Sequence, residues 1–186
     1  MSPPALPKPG ICARLVVVLG LIAGSLPACG QDSLMYVYGV VKDYASGDTL
    51  KAYSVTAVDV DDSLHVVRGG RDGRGRYDLV LSRECIYAVE FSSEGFHTKA
   101  VVIDMNVPHD SIWVGGFGMN IEATLLPIVP EVDASALSPV FGRARYNSAT
   151  GGFTWDRDFT EKMKAQQAAV LKAYDERLQK ESTGKP

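Results

Sequence analysis

The stretch Gly69-G-R-D-G-R-G-R-Y-D-L-V-Leu81 decides the fold class, because its glycines read either as a phosphate cradle or as a turn between strands. A phosphate loop needs Gly-x-x-x-x-Gly-Lys-Ser/Thr, and a dinucleotide site needs Gly-x-Gly-x-x-Gly. Both open into a helix whose N-terminal amides meet the anion. Here the glycines stand at 69, 70, 73 and 75, and the next element alternates Tyr77, Leu79 and Leu81 on one side. That period of two is a half-buried strand, so there is no helix dipole to hold an anion. Asp72-Gly73 is a hairpin-turn signal, because glycine accepts a positive φ at little cost. The stretch reads as a turn feeding a strand.

The same pattern extends in both directions. Short apolar or alternating runs at 36–43, 53–60, 64–68, 86–91, 99–104 and 120–126 join 76–81, separated by turn residues such as Ala45-S-G-Asp48 and Ser92-S-E-G-F-H-Thr98. In the second run Val55, Ala57 and Asp59 share one face. Helical periodicity is absent here, which argues against a βαβ fold, and seven strands at regular spacing predict an antiparallel sandwich over 36–126. Beyond Pro127 the character changes. Residues 127–140 are proline-rich and read as an extended linker, and 141–156 as a small hairpin around Asn147-S-A-T-Gly151. Residues 157–180 are rich in Ala, Lys, Gln, Glu and Leu. They place Phe159, Met163, Val170, Tyr174 and Leu178 on one helical stripe, with Asp156 or Thr154 as the cap. The tail, 181–186, is expected to fray.

The amino terminus reads as a targeting segment, 1–28. Lys8 and Arg14 precede the apolar run Leu15-V-V-V-L-G-L-I-A-G-S-Leu26, which is too short for a mature membrane span and ends in small residues. Next comes Leu26-Pro27-Ala28-Cys29-Gly30, which resembles the lipobox of bacterial lipoproteins, with Pro27 departing from the usual small or hydroxylated residue. That resemblance implies a lipid on Cys29, a membrane anchor, and residues 29–35 as a tether. The chain has three cysteines. Cys12 is lost with the signal, and Cys85 enters an apolar strand, where a buried inert thiol is expected. Ordinary cleavage near Ala28 is the alternative, and it would leave a Cys29–Cys85 disulfide open in an oxidising compartment.

Residues 37–104 resemble the carboxypeptidase regulatory-like domain. The likeness is carried by Gly39-V-V-K-Asp43, Ser46-G-Asp48, Leu50, Val55, Asp72-G-R-G-R-Tyr77, Tyr87-A-V-E-F-S-S-E-Gly95-Phe96 and Lys99. The resemblance implies a mainly β, Ig-like or transthyretin-like sandwich, here with a C-terminal amphipathic helix. It also implies a non-enzymatic accessory module of exported and outer-membrane proteins.

Charge and motifs set the remaining expectations. A formal net charge of -3, with no dense Lys/Arg block, gives counterion release little to work with and excludes nucleic acid as a partner. Asp59, Asp61, Asp62 and Asp72 are the candidate oxygen ligands for calcium, but no EF-hand spacing joins them. His65, His97 and His109 lack any zinc-motif spacing, so the chain is read as holding no metal and no cofactor. There is no Gly-x-Ser-x-Gly elbow, and Cys85 has no adjacent base, so no catalytic residue is assigned.

Phe96, Trp113, Phe117 and Trp155 are candidates for a carbohydrate or peptide surface; for Trp155 the favoured reading is packing rather than binding. Trp113 and Phe117 lie in the apolar stretch 111–119, an expected partner site. With Phe159, Met163, Val170 and Tyr174 of the helix stripe they form the partner-binding set. The expected role is a binding or scaffolding lipoprotein of the outer envelope with a protein partner, and the alternative is an exported glycan- or peptide-binding module.

Overall fold

Alternating burial along each strand builds two layers. The computed structural model describes residues 35–108 and 116–183, all within the unit that begins at Gln31. Cys29, the signal segment, His109 and Trp113 lie outside the described residues. The strands are β1 (Met35–Asp43), β2 (Ser54–Asp59), β3 (Val66–Arg68), β4 (Gly70–Arg71), β5 (Arg76–Leu81), β6 (Ile86–Ser92), β7 (Lys99–Asp104), β8 (Phe117–Leu125), β9 (Val140–Asn147) and β10 (Gly152–Trp155), followed by helix α1 (Arg157–Thr183).

The first sheet has the order β4-β5-β1-β8 and the second β10-β9-β7-β6-β2-β3. The protein is thus mainly β, with one helix, C-terminal, among the described residues, but the expected seven antiparallel strands are corrected to ten strands in two mixed sheets among those residues. β1 runs parallel to β8 from Met35↔Phe117 to Asp43↔Leu125, and β7 runs parallel to β9. Parallel partners are joined by long crossovers and leave no turn signal between them, so spacing alone does not reveal them. The hairpin of 141–156 is no separate extension: β9 and β10 complete the second sheet at the edge of β7.

The opening stretch is a β4–β5 hairpin. Arg74 and Arg76 donate their amides to the Asp72 carboxylate at 2.9 and 2.8 Å, so those groups are spent on the turn and not on an anion. The left-handed residue is Gly75, at φ 79°, rather than Gly73.

Between the sheets lie Met35, Val37 and Val41 of β1, Tyr77, Leu79 and Leu81 of β5, Tyr87, Val89 and Phe91 of β6, and Ile121, Ala123 and Leu125 of β8. Gly39 occupies the inward phase of β1 between Val37 and Val41, opposite both Tyr77 and Ile121. A Cβ there would be driven into the Ile121 carbonyl oxygen. The Tyr77 hydroxyl donates to that same carbonyl at 2.8 Å, so the ring covers the space that the glycine leaves.

Asp156 caps α1, accepting the Phe159 amide at 2.9 Å. Residues 127–140, expected as an extended linker, form a strap with turns at Val129–Val132 and Ala134–Leu137. Val132, with Val129 and Leu137 beside it, joins Leu126, Val170 and Tyr174 in a second small core. The Tyr174 hydroxyl donates to the Pro127 carbonyl at 2.7 Å, and the Gln167 amide to Ser138 O at 3.2 Å. Tyr44 ties the sandwich to the helix through Asp175 at 2.8 Å. No helix among the described residues is long and apolar enough to cross a membrane.

Candidate functional sites on the two sheets

Among the described residues, the outer face of one sheet and the inner face of the other carry residues out of phase with their strand. The first is the outer face of the first sheet. In β1 the inward phase is apolar, and the outward phase, where polar residues are the rule, holds Tyr36 and Tyr38. They are 46% and 41% exposed, and their ring centroids lie 5.6 Å apart with planes tilted by 31°. A concavity of about 440 Å³ runs beside them, lined also by Arg76, Asp78, Asn120 and Glu122. Lys42 donates to Glu122 at 2.7 Å. The pKa of Tyr36 lies above the ordinary phenol value, through partial desolvation and then the Asp78 carboxylate, so the phenol remains a donor at neutral pH. Tilted aromatic faces flanked by amide, carboxylate and guanidinium groups suit a ligand with apolar faces and polar edges. A larger hollow of about 510 Å³ lies where β10 meets α1, lined by Arg145, Tyr146, Trp155 and Asp158. It presents no such ring pair, because Trp155 is turned down over Gly142.

The second place is one end of the second sheet, on its inner face. β2 buries Val55, Ala57 and then Asp59, which is only 7% exposed. The strand order β6-β2-β3 sets what surrounds Asp59. Across β6 it faces Tyr87, with Cys85 two residues further along that strand's line. Towards β3 its amide donates to the His65 carbonyl at 3.1 Å. Oδ1 accepts the Asp61 amide at 3.0 Å, while Oδ2 lies 3.6 Å from His65 Nδ1. One carboxylate oxygen, the imidazole nitrogen and the Cys85 sulfur all fall within 4.8 Å of one another.

The electrostatics of this cluster follow from its contacts. The Asp61 amide, followed by the Cys85 thiol, holds the Asp59 carboxyl below the usual carboxylate range. Burial first, and then the facing Asp59, push the Cys85 thiol up. Cys85 is therefore a neutral thiol at physiological pH and a poor nucleophile. Tyr87 is fully buried, and desolvation with its proximity to Cys85 takes its pKa to about 12. Its ring meets His65 edge-on at 5.7 Å, and its hydroxyl has Cys85 and Ser82 as polar neighbours but no partner of hydrogen-bonding geometry among the described residues. Glu84, just before Cys85, sits at φ 64°, a left-handed conformation uncommon for a side-chain-bearing residue.

The calcium candidates do not converge. Asp62 accepts the Leu64 amide at 3.0 Å in the β2–β3 turn, and Asp72 serves its own hairpin on the other sheet. No group of metal-ligating side chains among the described residues joins Asp61, Asp62 or Asp72 to Asp59.

Of the partner-binding candidates, Phe117 meets Phe153 edge-on at 4.8 Å and Tyr146 at 5.8 Å. Phe159 lies 4.2 Å beneath the Arg143 guanidinium, and Met163 is half-buried. Val170 and Tyr174 are buried in the helix–strap core and are consumed internally. Phe96 packs against the main core. The tyrosine pair and the Asp59–His65–Cys85 group were not singled out by the motifs. Their sequence signals are aromatic residues in an outward phase and an aspartate in an inward one.

No family model matches the chain, and no curated protein matches it. Among solved structures, 3-chlorocatechol 1,2-dioxygenase from Rhodococcus opacus 1CP is similar at 12% identity and a TM-score of 0.39, over 54% of this chain and 62% of that one. Catechol 1,2-dioxygenase from Acinetobacter sp. ADP1 is similar at 11% identity and a TM-score of 0.40, over 57% of each chain. The dioxygenase domain of a carbohydrate-binding fusion from Streptomyces sp. SirexAA-E is similar at 10% identity and a TM-score of 0.39, over 54% of this chain and 84% of that one. This chain therefore spans about three-fifths of the first of these proteins. At such scores the likeness carries no argument about chemistry.

Proposed function

We propose that the protein is a non-enzymatic binding module of the bacterial outer envelope. In this reading a transthyretin-like sandwich of the carboxypeptidase regulatory-like kind is anchored by lipid on Cys29 and takes a glycan on its tyrosine face. The observation that carries the reading is the Tyr36–Tyr38 pair, two exposed rings on an open sheet with Asp78, Asn120 and Glu122 around them. Sugar rings present apolar C–H faces and hydroxyl edges, and this surface offers aromatic faces with polar groups beside them. A purely scaffolding role with a protein partner is the second reading. It is favoured by the aromatic cluster of Phe117, Tyr146 and Phe153 at the border of the undescribed segment 109–115.

One preparation tests the proposal. The full chain, recovered from a bacterial envelope, should carry a lipid-sized mass increase that Cys29→Ser removes. It should bind soluble oligosaccharides of glucose or N-acetylglucosamine saturably in calorimetry. Tyr36→Ala or Tyr38→Ala should weaken that binding about tenfold, or about 1.4 kcal/mol, while stability stays within about 0.5 kcal/mol of wild type. A bare-chain mass would sink the anchor. Absent sugar binding, or binding that both variants retain, would sink the glycan site.

A further inference from the structure

We infer that Asp59, His65 and Cys85 form a binding site for a divalent transition-metal ion of the zinc class, with the Tyr87 hydroxyl at its margin. The site lies on the second sheet and is independent of the tyrosine face.

The donor set selects the class of ion. Carboxylate oxygen, imidazole nitrogen and thiolate sulfur together suit zinc and its borderline neighbours, whereas calcium and magnesium take oxygen alone. Zinc–ligand bonds of about 2.0–2.3 Å at tetrahedral angles put ligand atoms about 3.5 Å apart. The Asp59 Oδ2 to His65 Nδ1 distance of 3.6 Å already matches an edge of that figure. The widest separation, within 4.8 Å, needs about an ångström of closure. His65 supplies that freedom, because it precedes the edge strand β3 and its side chain is 41% exposed. The same exposure gives an ion its way in. Three protein ligands leave a fourth position for water or another small donor.

A second observation points to the same place. Buried polar groups are nearly always hydrogen-bonded, and the Tyr87 hydroxyl, with Cys85 and Ser82 as polar neighbours, meets no partner of hydrogen-bonding geometry among the described residues. The residue is fully buried, its ring lies against that of His65, and its hydroxyl is near the Cys85 thiol. A hydroxyl so placed can donate to a metal-bound thiolate, which accepts hydrogen bonds better than a thiol does. Without the metal, the neutral thiol faces the Asp59 carboxylate. When the ion binds, the metal–sulfur bond forms as the S–H bond breaks, and the proton leaves to solvent.

The test uses the full chain carrying Cys12→Ser and Cys29→Ser, which leaves Cys85 as the one thiol of the sequence. Cobalt(II) alone is the probe. The expected result is a near-ultraviolet thiolate-to-cobalt charge-transfer absorption that zinc displaces and that Cys85→Ser abolishes. His65→Ala, at an edge where folding is not at stake, should lower the affinity about tenfold or more. Circular dichroism of both variants should match the parent. No thiolate absorption, or one that His65→Ala leaves unchanged, overturns the proposal.

Discussion

Tyr77 and Tyr87 each occupy an inward phase of a strand, and both rings are buried in the same core. Their hydroxyls meet opposite fates. That of Tyr77, in the first sheet, crosses Gly39 to reach the Ile121 carbonyl and fastens β5 to β8 across β1. That of Tyr87, in the second sheet, meets no partner of hydrogen-bonding geometry among the described residues, and its residue stands beside Asp59, His65 and Cys85. The first arrangement completes a structure. The second leaves a polar group with unused capacity, which costs stability unless something occupies the place beside it. Departures from local rules that nothing nearby compensates are where a function is to be sought.

The contrast can be broken at three points. The largest effect is expected from Gly39→Ala. A methyl group driven at the Ile121 carbonyl forces β1 and β8 apart and should cost at least about 3 kcal/mol in urea unfolding. A mild effect would mean that the β1–β8 ladder is not as close as described. Next, Tyr77→Phe should lose about 1–2 kcal/mol, since it removes a satisfied buried hydrogen bond. Smallest is Tyr87→Phe, which should leave stability within about 0.5 kcal/mol of wild type or raise it slightly in metal-free protein. If the two Tyr→Phe variants unfold at the same denaturant concentration, the distinction between the two hydroxyls fails. Added zinc should stabilise the wild-type chain, as any ligand selective for the folded state does. Tyr87→Phe should then lose part of that gain, which turns a silent substitution into a visible one.

Much of this architecture is legible in the sequence. The β5 bounds, 76–81, follow from alternation and the β7 bounds, 99–104, from a short apolar run between charged residues, and Asp156 is one of two candidate caps for the helix. Strand pairing was not legible. β1 and β8 are joined across a long intervening chain, and nothing in Phe117–Leu125 announces a parallel partner. The strap failed for another reason. Leu126, Val129, Val132 and Leu137 are set among prolines with no period, so their shared core with Val170 and Tyr174 has no one-dimensional signature. The candidate metal site lies between these cases. Asp59 on an apolar strand face was readable as an oddity. Its meeting with His65 and Cys85 depends on the registers of β3, β2 and β6, which no ligand-spacing motif encodes.

The central position of β1 has a mechanical consequence. It lies between β5 and β8, bonded antiparallel to β5 over Met35–Val40 and parallel to β8 over its whole length. If the chain is held from the N-terminal side and loaded elsewhere, tension runs along the β1 axis. Both ladders then bear it at once, in shear. A strand at a sheet edge, pulled sideways, would release its bonds one by one. A middle strand pulled lengthwise must break many together, so this fold resists a load applied along β1 better than one that peels away an edge strand.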